Sequence, residues 1–319
     1  MKAMQYRGYG GPHQIERAEV PAPRPSPSQL LVRVSASSVN PVDWKLHSGQ
    51  YRWLMPARFP SIPGFDVAGE VVETGTQVTR FKAGDRIFAM SDLRPGGASA
   101  EYTVVGEGAA ARMPASLPAL EAATVPLAGL TALQALRNLG QVAAGKSVLV
   151  IGASGGVGHF AVQIAASYGA EVTAVCSTRN LDMVRRLGAH RAIDYTEQSD
   201  LRGPQPYDIV LDLVVAAPVH RHLPLMARDG VHVSALPSFG RIAAVFYMPL
   251  GSKRRVRIAT VKPSGDDLDA LRALCDAGKL RPVIDRVFRL EDLAAAHAYS
   301  RTGRTSGKIA IAVRESPLA

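Results

Sequence analysis

The sequence predicts an α/β protein in which a β-rich first domain is followed by a doubly wound parallel sheet, with a tail that returns to the first domain. Three observations carry this. Ser147-Val-Leu-Val-Ile151 has the apolar, β-branched character of a buried parallel strand and runs through the glycine-dense turn Gly152-Ala-Ser-Gly-Gly-Val-Gly158 directly into helical spacing at Val157, Phe160, Ala161, Ile164, Ala165 and Tyr168. From residue 171 onward apolar strands alternate with helical stretches, the pattern of a parallel sheet covered on both faces. Before residue 120 the chain instead shows short alternating segments punctuated by Pro, Gly and Ser.

Taken in order, Pro21, Pro23, Pro25 and Pro27 make a stiff extended approach to a strand at Leu30-Leu-Val-Arg-Val-Ser35, and a second strand is expected at Val67-Ala-Gly-Glu-Val-Val72. Leu127, Leu130, Leu133 and Leu136 recur every third residue and predict one helix over 121–141. Further strands are expected over 171–175, 192–195, 208–214, 231–236 and 256–261. Beyond Lys262 come a helix over 266–277, a strand near 283–287, a helix over 290–299 and a closing strand over 308–313. The domain boundaries are therefore expected as 1–124, 125–262 and 263–319.

At 319 residues, with 47% apolar and 20% charged, the chain can bury two ordinary cores. Cys176 and Cys275 are its only cysteines and cannot build a disulfide framework, and the first residues lack an apolar signal core, so a reducing cytoplasm is expected. No apolar run free of charge and proline is long enough to span a bilayer, so no membrane association is expected. The net charge of +10 and the cluster Lys253-Arg-Arg-Val-Arg257 would suit anionic partners. No aromatic residues interleave with that cluster, so it reads as a solvated strand rim and nucleic acid is not the expected partner.

The glycines at 152, 155 and 158 supply a tight turn, close backbone approach and tight helix-on-strand packing, and the helix behind them offers free N–H groups and a positive dipole end: a dinucleotide diphosphate site. The same residues spell G-x-S-x-G around Ser154, the nucleophile elbow of a hydrolase. That second reading needs an acid and a histidine on loops at strand ends, whereas His232 falls inside a strand and His297 inside a helix. No Tyr-x-x-x-Lys follows the turn, which removes a short-chain reductase. An NAD-binding unit places an acid at the end of the second strand. Here that end reads Val175-Cys-Ser-Thr-Arg-Asn180, with no carboxylate before Asp182. Ser177, Thr178 and Arg179 can instead hold a 2′-phosphate, which predicts NADPH over NADH.

The order of domains resembles the medium-chain dehydrogenase/reductase superfamily, and its zinc-independent quinone oxidoreductase, zeta-crystallin-like branch in particular. The resemblance rests on Ser38-Val-Asn-Pro-Val-Asp-Trp-Lys45, Pro63-Gly-Phe-Asp-Val-Ala-Gly-Glu70, Phe81-Lys-Ala-Gly-Asp-Arg-Ile87, Ala128-Gly-Leu-Thr-Ala132, the glycine turn, Gly188-Ala-His-Arg-Ala-Ile-Asp-Tyr195 and Gly307-Lys-Ile. It implies a GroES-like catalytic domain, a Rossmann domain, and reduction of quinones or α,β-unsaturated carbonyls with NADPH. Asn40 and Phe65 stand where zinc-dependent relatives place ligands, which implies a metal-free enzyme. His220-x-His222 is the only close histidine pair, and with no Cys or third histidine nearby it is expected at the surface or at a helix start.

The same resemblance implies catalytic roles for Asn40, Lys45 and Tyr51, with Asn40 beside the nicotinamide or the substrate oxygen, Lys45 as donor to that oxygen, and Asp43 able to orient the lysine. It implies cofactor contacts from Ser154, Gly155, Gly156 and Val157 at the diphosphate, Thr131 near the nicotinamide, Tyr195 at the adenosine ribose, and Leu236 and Val261 at strand ends. It implies a homodimer joined around Val256–Val261. Val214-Val215 departs from the glycines that relatives carry there. The alternative the family offers is an NADPH-binding protein with a structural or RNA-binding role.

Overall fold

The computed structural model describes residues 1–50, 52, 56–92, 96–235 and 253–314. Two compact units account for the chain: residues 1–130 with 263–278 and 282–319, and residues 131–262 with 279–281. The first change of unit lies six residues beyond the expected boundary after 124, inside a helix.

In the first unit, β1 (Lys2–Tyr6) pairs with β2 (Ile15–Glu19). The remaining strands are β3 (Gln29–Val39), β4 (Asp66–Thr74), β5 (Arg86–Met90), β6 (Tyr102–Gly106), β7 (Ala110–Arg112), β14 (Ile284–Arg289) and β15 (Lys308–Ala312). They form a seven-stranded sheet in the order β14-β15-β3-β4-β5-β7, with β6 also on β3. Strand β3 is the centre of this arrangement: Leu30, Val32 and Val34 alternate into a core with Val67, Val71 and Ile87. A second core joins Met4, Val39, Ile309 and Ile311 to Leu293 and Ala296. Fully burying each of the Val, Leu, Ile and Met side chains among them contributes about 1.5–3 kcal/mol. Helix α1 (Pro41–His47) follows β3 after a single residue, Asn40.

The second unit holds β8 (Ser147–Ile151), β9 (Glu171–Cys176), β10 (Arg191–Asp194), β11 (Tyr207–Asp212), β12 (Met226–Ser234) and β13 (Arg255–Ile258), ordered β10-β9-β8-β11-β12-β13 and parallel throughout. The chain winds outward from β8 in one direction and from β11 in the other, so the switch point lies at the carboxyl ends of β8 and β11, where open α/β sheets bind ligands. Helices α4 (Gly158–Ser167) and α5 (Leu181–Arg186) connect the first three strands.

Four expectations need correction. The helix over 121–141 is α2 (Ala119–Ala122), α3 (Pro126–Leu133) and a π-helical stretch over Gln134–Leu139, because Pro126 cannot continue a helix begun upstream. The strand expected to reach 214 stops at Asp212, whose Oδ1 accepts the amides of Val214 and Val215 at 3.2 and 2.9 Å and turns the chain. The strand expected over 256–261 is Arg255–Ile258, which leaves Val261 beyond its end. His220 is exposed, but His222 is not at the surface, although it does stand at the start of a 3-10 turn, Leu223–Leu225. Pro218 and Pro224 limit the connection between β11 and β12 to two short 3-10 turns, and these bury His222 with its Nδ1 3.0 Å from His232 Nε2. The tail elements α6 (Gly265–Asp276) and α7 (Leu293–Arg301) fall within a few residues of their expected places. Among the described residues no helix is long and apolar enough to cross a membrane.

Candidate functional site

In the second unit the glycine turn closes onto β9: the amides of Gly152 and Ala153 both donate to Val175 O, at 3.1 and 3.0 Å. Gly152 sits at φ +83°, a conformation that favours glycine. At Gly158 a Cβ would lie 2.1 Å from Gly152 O, so only glycine lets α4 start this close to the strand. At Gly155 a Cβ would meet only Gly152 O, at 3.4 Å, which leaves its face open. Ser154, Gly155, Gly156 and Val157 thus form a half-buried cradle at the positive end of α4, where the amides of His159 and Ala161 donate back to Gly155 O and Val157 O at 3.1 and 2.9 Å. This shape and polarity fit a diphosphate.

Beside the cradle, Ser177, Thr178 and Arg179 follow β9, and Tyr195 joins them through its amide, which donates to Cys176 O at 3.1 Å. Tyr195 is 56% exposed, unusual for a tyrosine and suited to stacking on a ring. Arg179 is exposed. Ser177 Oγ accepts from Asn180 Nδ2 at 3.3 Å, and its own O–H remains a donor. Thr178 Oγ1 is engaged with Thr196 Oγ1 at 3.1 Å, beside Asp194 at the end of β10. Hydrogen bonds from the hydroxyls of Thr178 and Thr196 hold Asp194 below the usual carboxylate range, so it is ionised. Inspection of the β9 end alone misses this acid, because it arrives from the neighbouring strand. With Thr178 engaged there, Ser177 and the exposed Arg179 are its neighbours at the β9 end.

Val214 lies over the glycine turn, and Val215 follows it. Val215 keeps φ +65°, the left-handed conformation a glycine would adopt, at a cost of about 1–3 kcal/mol for a β-branched residue. The Cγ2 of Val214 lies 2.6 Å from where a Cβ on Gly152 would be. Thr131 is buried in α3 and Val261 half-buried after β13. Gln134 ties these segments by exchanging hydrogen bonds with the backbone of Lys262 at 2.9 and 3.0 Å. Leu236 and Tyr51 lie outside the described residues.

In the first unit Asn40 is set by the turn from β3 into α1. The following Pro41 pushes it to extended geometry, φ −122° and ψ 149°, and Asp43 Oδ2 accepts its backbone amide at 2.6 Å. The Asn40 side chain then joins a buried network. Its Nδ2 donates to Asp66 Oδ2 at 2.7 Å and its Oδ1 accepts from Lys308 Nζ at 2.5 Å. Lys308 also reaches Val39 O at 3.3 Å and Asp66 Oδ2 at 3.4 Å. Asp66 is held further by Ser38 Oγ and by the amide of Leu127. Burial lowers the Lys308 pKa and raises that of Asp43. Asp66 and Lys308 lie in sequence strings that mark the family resemblance, yet nothing in those strings shows that a lysine is buried against them.

Lys45 projects from the same helix, half-buried, its Nζ 5.6 Å from the Trp44 ring centroid, and burial lowers its pKa. Asp43 does not orient it. Two positions apart on a helix the two side chains diverge, and the Asp43 carboxylate is committed to Asn40. Phe65 is buried.

Comparison with known proteins sets these units in context. Residues 26–115 match the family model described as alcohol dehydrogenase GroES-like domain, and residues 187–311 the one described as zinc-binding dehydrogenase. A chloroplast envelope quinone oxidoreductase homolog of Arabidopsis thaliana is 38% identical, covering 98% of each chain. An NADPH-dependent alkenal/one oxidoreductase, chloroplastic, of the same plant is 34% identical over 98% of this chain and 79% of its own. Among solved structures, the quinone oxidoreductase from Coxiella burnetii superposes with a TM-score of 0.89 at 31% identity, covering 98% of this chain and 99% of that one.

Proposed function

Because the chain belongs to the medium-chain dehydrogenase/reductase superfamily, in its quinone oxidoreductase branch, we propose that it reduces quinones or α,β-unsaturated carbonyls with NADPH. The observation that carries this is the cradle at 154–157, where Gly158 tolerates no side chain and Gly155 faces open space, beside a β9 end that offers Ser177 and Arg179 and no acid of its own. NADPH, when bound, supplies the hydride. The amides of Ser154, Gly156 and Val157 would hold its diphosphate, with Gly155, whose own amide donates to Gly152 O, allowing the close backbone approach; Ser177 and Arg179 would hold its 2′-phosphate, with Tyr195 against the adenosine ribose and Thr131, Leu236 and Val261 toward the nicotinamide end.

On the substrate side we assign Asn40, Lys45 and Tyr51. Asn40 positions: with Asp66 and Lys308 it fixes the β3–α1 junction, and by donor count one N–H of its amide remains for a ligand. Lys45 donates to the oxygen on which charge develops, and the partial burial that lowers its pKa makes it the stronger acid. Conjugated acceptors fit this set because their charge spreads onto an oxygen that hydrogen-bond donors can hold. An asparagine and a phenylalanine at positions 40 and 65 make a poor Lewis-acid site, which supports hydride transfer without zinc. We further assign a homodimer through β13, the last strand of its sheet among those described, and a cytoplasmic location, in keeping with two buried free cysteines.

The test is NADPH oxidation against quinones, linear enones and simple aldehydes. Turnover with the first two and not the third is expected. No turnover with any of them, together with RNA binding that falls steeply with salt, would favour the structural or RNA-binding reading instead.

A further inference from the structure

We propose that Asp212, His222 and His232 form a binding site for one divalent transition-metal ion of the zinc class, built from residues of the second unit and separate from positions 40 and 65. The strand register assembles it. β11 and β12 run parallel with Val210 opposite His232 and Asp212 opposite Ser234, so Asp212 and His232 project from the same face of neighbouring strands. The 3-10 turns between those strands deliver His222 onto that face, and all three side chains are buried.

One donor atom from each residue lies within 4.8 Å of the others: His222 Nδ1 is 3.0 Å from His232 Nε2 and 3.9 Å from an oxygen of Asp212. Ligands at zinc–nitrogen or zinc–oxygen distances of about 2.0–2.1 Å in tetrahedral geometry stand about 3.3–3.4 Å apart, and the two observed separations straddle that value. Two neutral imidazoles and one carboxylate suit zinc, cobalt or nickel, whereas magnesium and calcium require all-oxygen shells. The carboxylate is oriented as metal-site carboxylates are, its other oxygen accepting the amides of Val214 and Val215. Three protein donors leave a fourth position for water or a further side chain.

The competing account is a hydrogen-bonded histidine pair beside a carboxylate, with no affinity for metal. The tag-free, full-length protein is stripped with a chelator and titrated with Zn2+ by calorimetry and with Co2+ by visible absorption, while the histidine ring nitrogens are followed by NMR. The proposal expects one equivalent bound, with ring shifts confined to two of the eight histidines. His222→Gln and His232→Gln should each weaken Zn2+ binding by about 100-fold or more, and His220→Gln should leave it unchanged. Absence of saturable binding, shifts in other histidines, or undiminished affinity in both variants would overturn it. The NMR result on the parent decides the matter even if a variant fails to fold.

Discussion

Replacing Lys308 with Met tests the buried network around Asn40 most severely. The substitution keeps chain length and apolar stem but removes the charge and the donors that reach Asn40 Oδ1, Val39 O and Asp66 Oδ2. Removing one partner of a buried ion pair costs about 3–5 kcal/mol, because the other charge stays behind uncompensated. Asp66 would still be held by Ser38 Oγ, Asn40 Nδ2 and the amide of Leu127, which puts the loss at the low end, about 3 kcal/mol. Both tryptophans, Trp44 and Trp53, belong to the first unit, so urea denaturation followed by tryptophan fluorescence reads the unit that contains Lys308. The double variant Lys308→Met/Asp66→Asn removes both charges and should recover more than half of the loss. A loss below about 1 kcal/mol for the single variant, or a double variant no better than the single, would refute the reasoning.

Other expectations follow from the same geometry. Gly155→Ala should fold with nearly unchanged stability, since its Cβ makes only an ordinary contact at 3.4 Å, yet should weaken NADPH at least tenfold by isothermal titration; unaltered affinity would displace the diphosphate from this cradle. Arg179→Glu should weaken NADPH while leaving NADH nearly unchanged, because only the former carries the 2′-phosphate, and equal losses for both cofactors would show that this strand end does not set the preference. His297 is held neutral: burial pushes its pKa down to about 3, and its Nδ1 bonds the Tyr6 hydroxyl at 3.0 Å. The unfolded chain therefore binds a proton between about pH 6.5 and 3 that the native state does not, and stability falls as pH falls through that window. Asp43, raised by burial, has the opposite sign and adds stability as pH falls toward its ordinary carboxylate value. Urea midpoints measured from neutral to acid pH should thus fall less steeply in His297→Gln and more steeply in Asp43→Asn, and parallel curves for all three proteins would contradict both assignments.

Strand 147–151 is legible to the residue because a strand buried on both faces shows an unbroken apolar run and Gly152 marks its end. The helix over 121–141 is misread because the leucine spacing continues across Pro126, and periodicity alone does not register that a proline ends one helix and opens the next. Local strings also hide partners that only register brings together. His222 meets His232 from the next strand and Asp212 from the end of the previous one, so no ligand spacing appears along the chain. Lys308 reads as a polar position opening an apolar strand. Its partners Asp66 and Asn40 stand 242 and 268 residues away, and its burial follows from β15 lying beside β3. Asp194 escapes for the same reason, as an acid on the strand next to the one where acids are sought. The glycine turn is visible because its geometry is local to one strand end and one helix start.

The most direct measurement of the central claim is product analysis after chelation. The protein, stripped of metal, is given NADPH and an α,β-unsaturated ketone, and the products are resolved by mass and NMR. The account predicts undiminished turnover to the saturated ketone, with the carbon–carbon double bond reduced, the carbonyl intact and NADH a poor substitute. Loss of activity that returns only with zinc, or an allylic alcohol as the product, would contradict it.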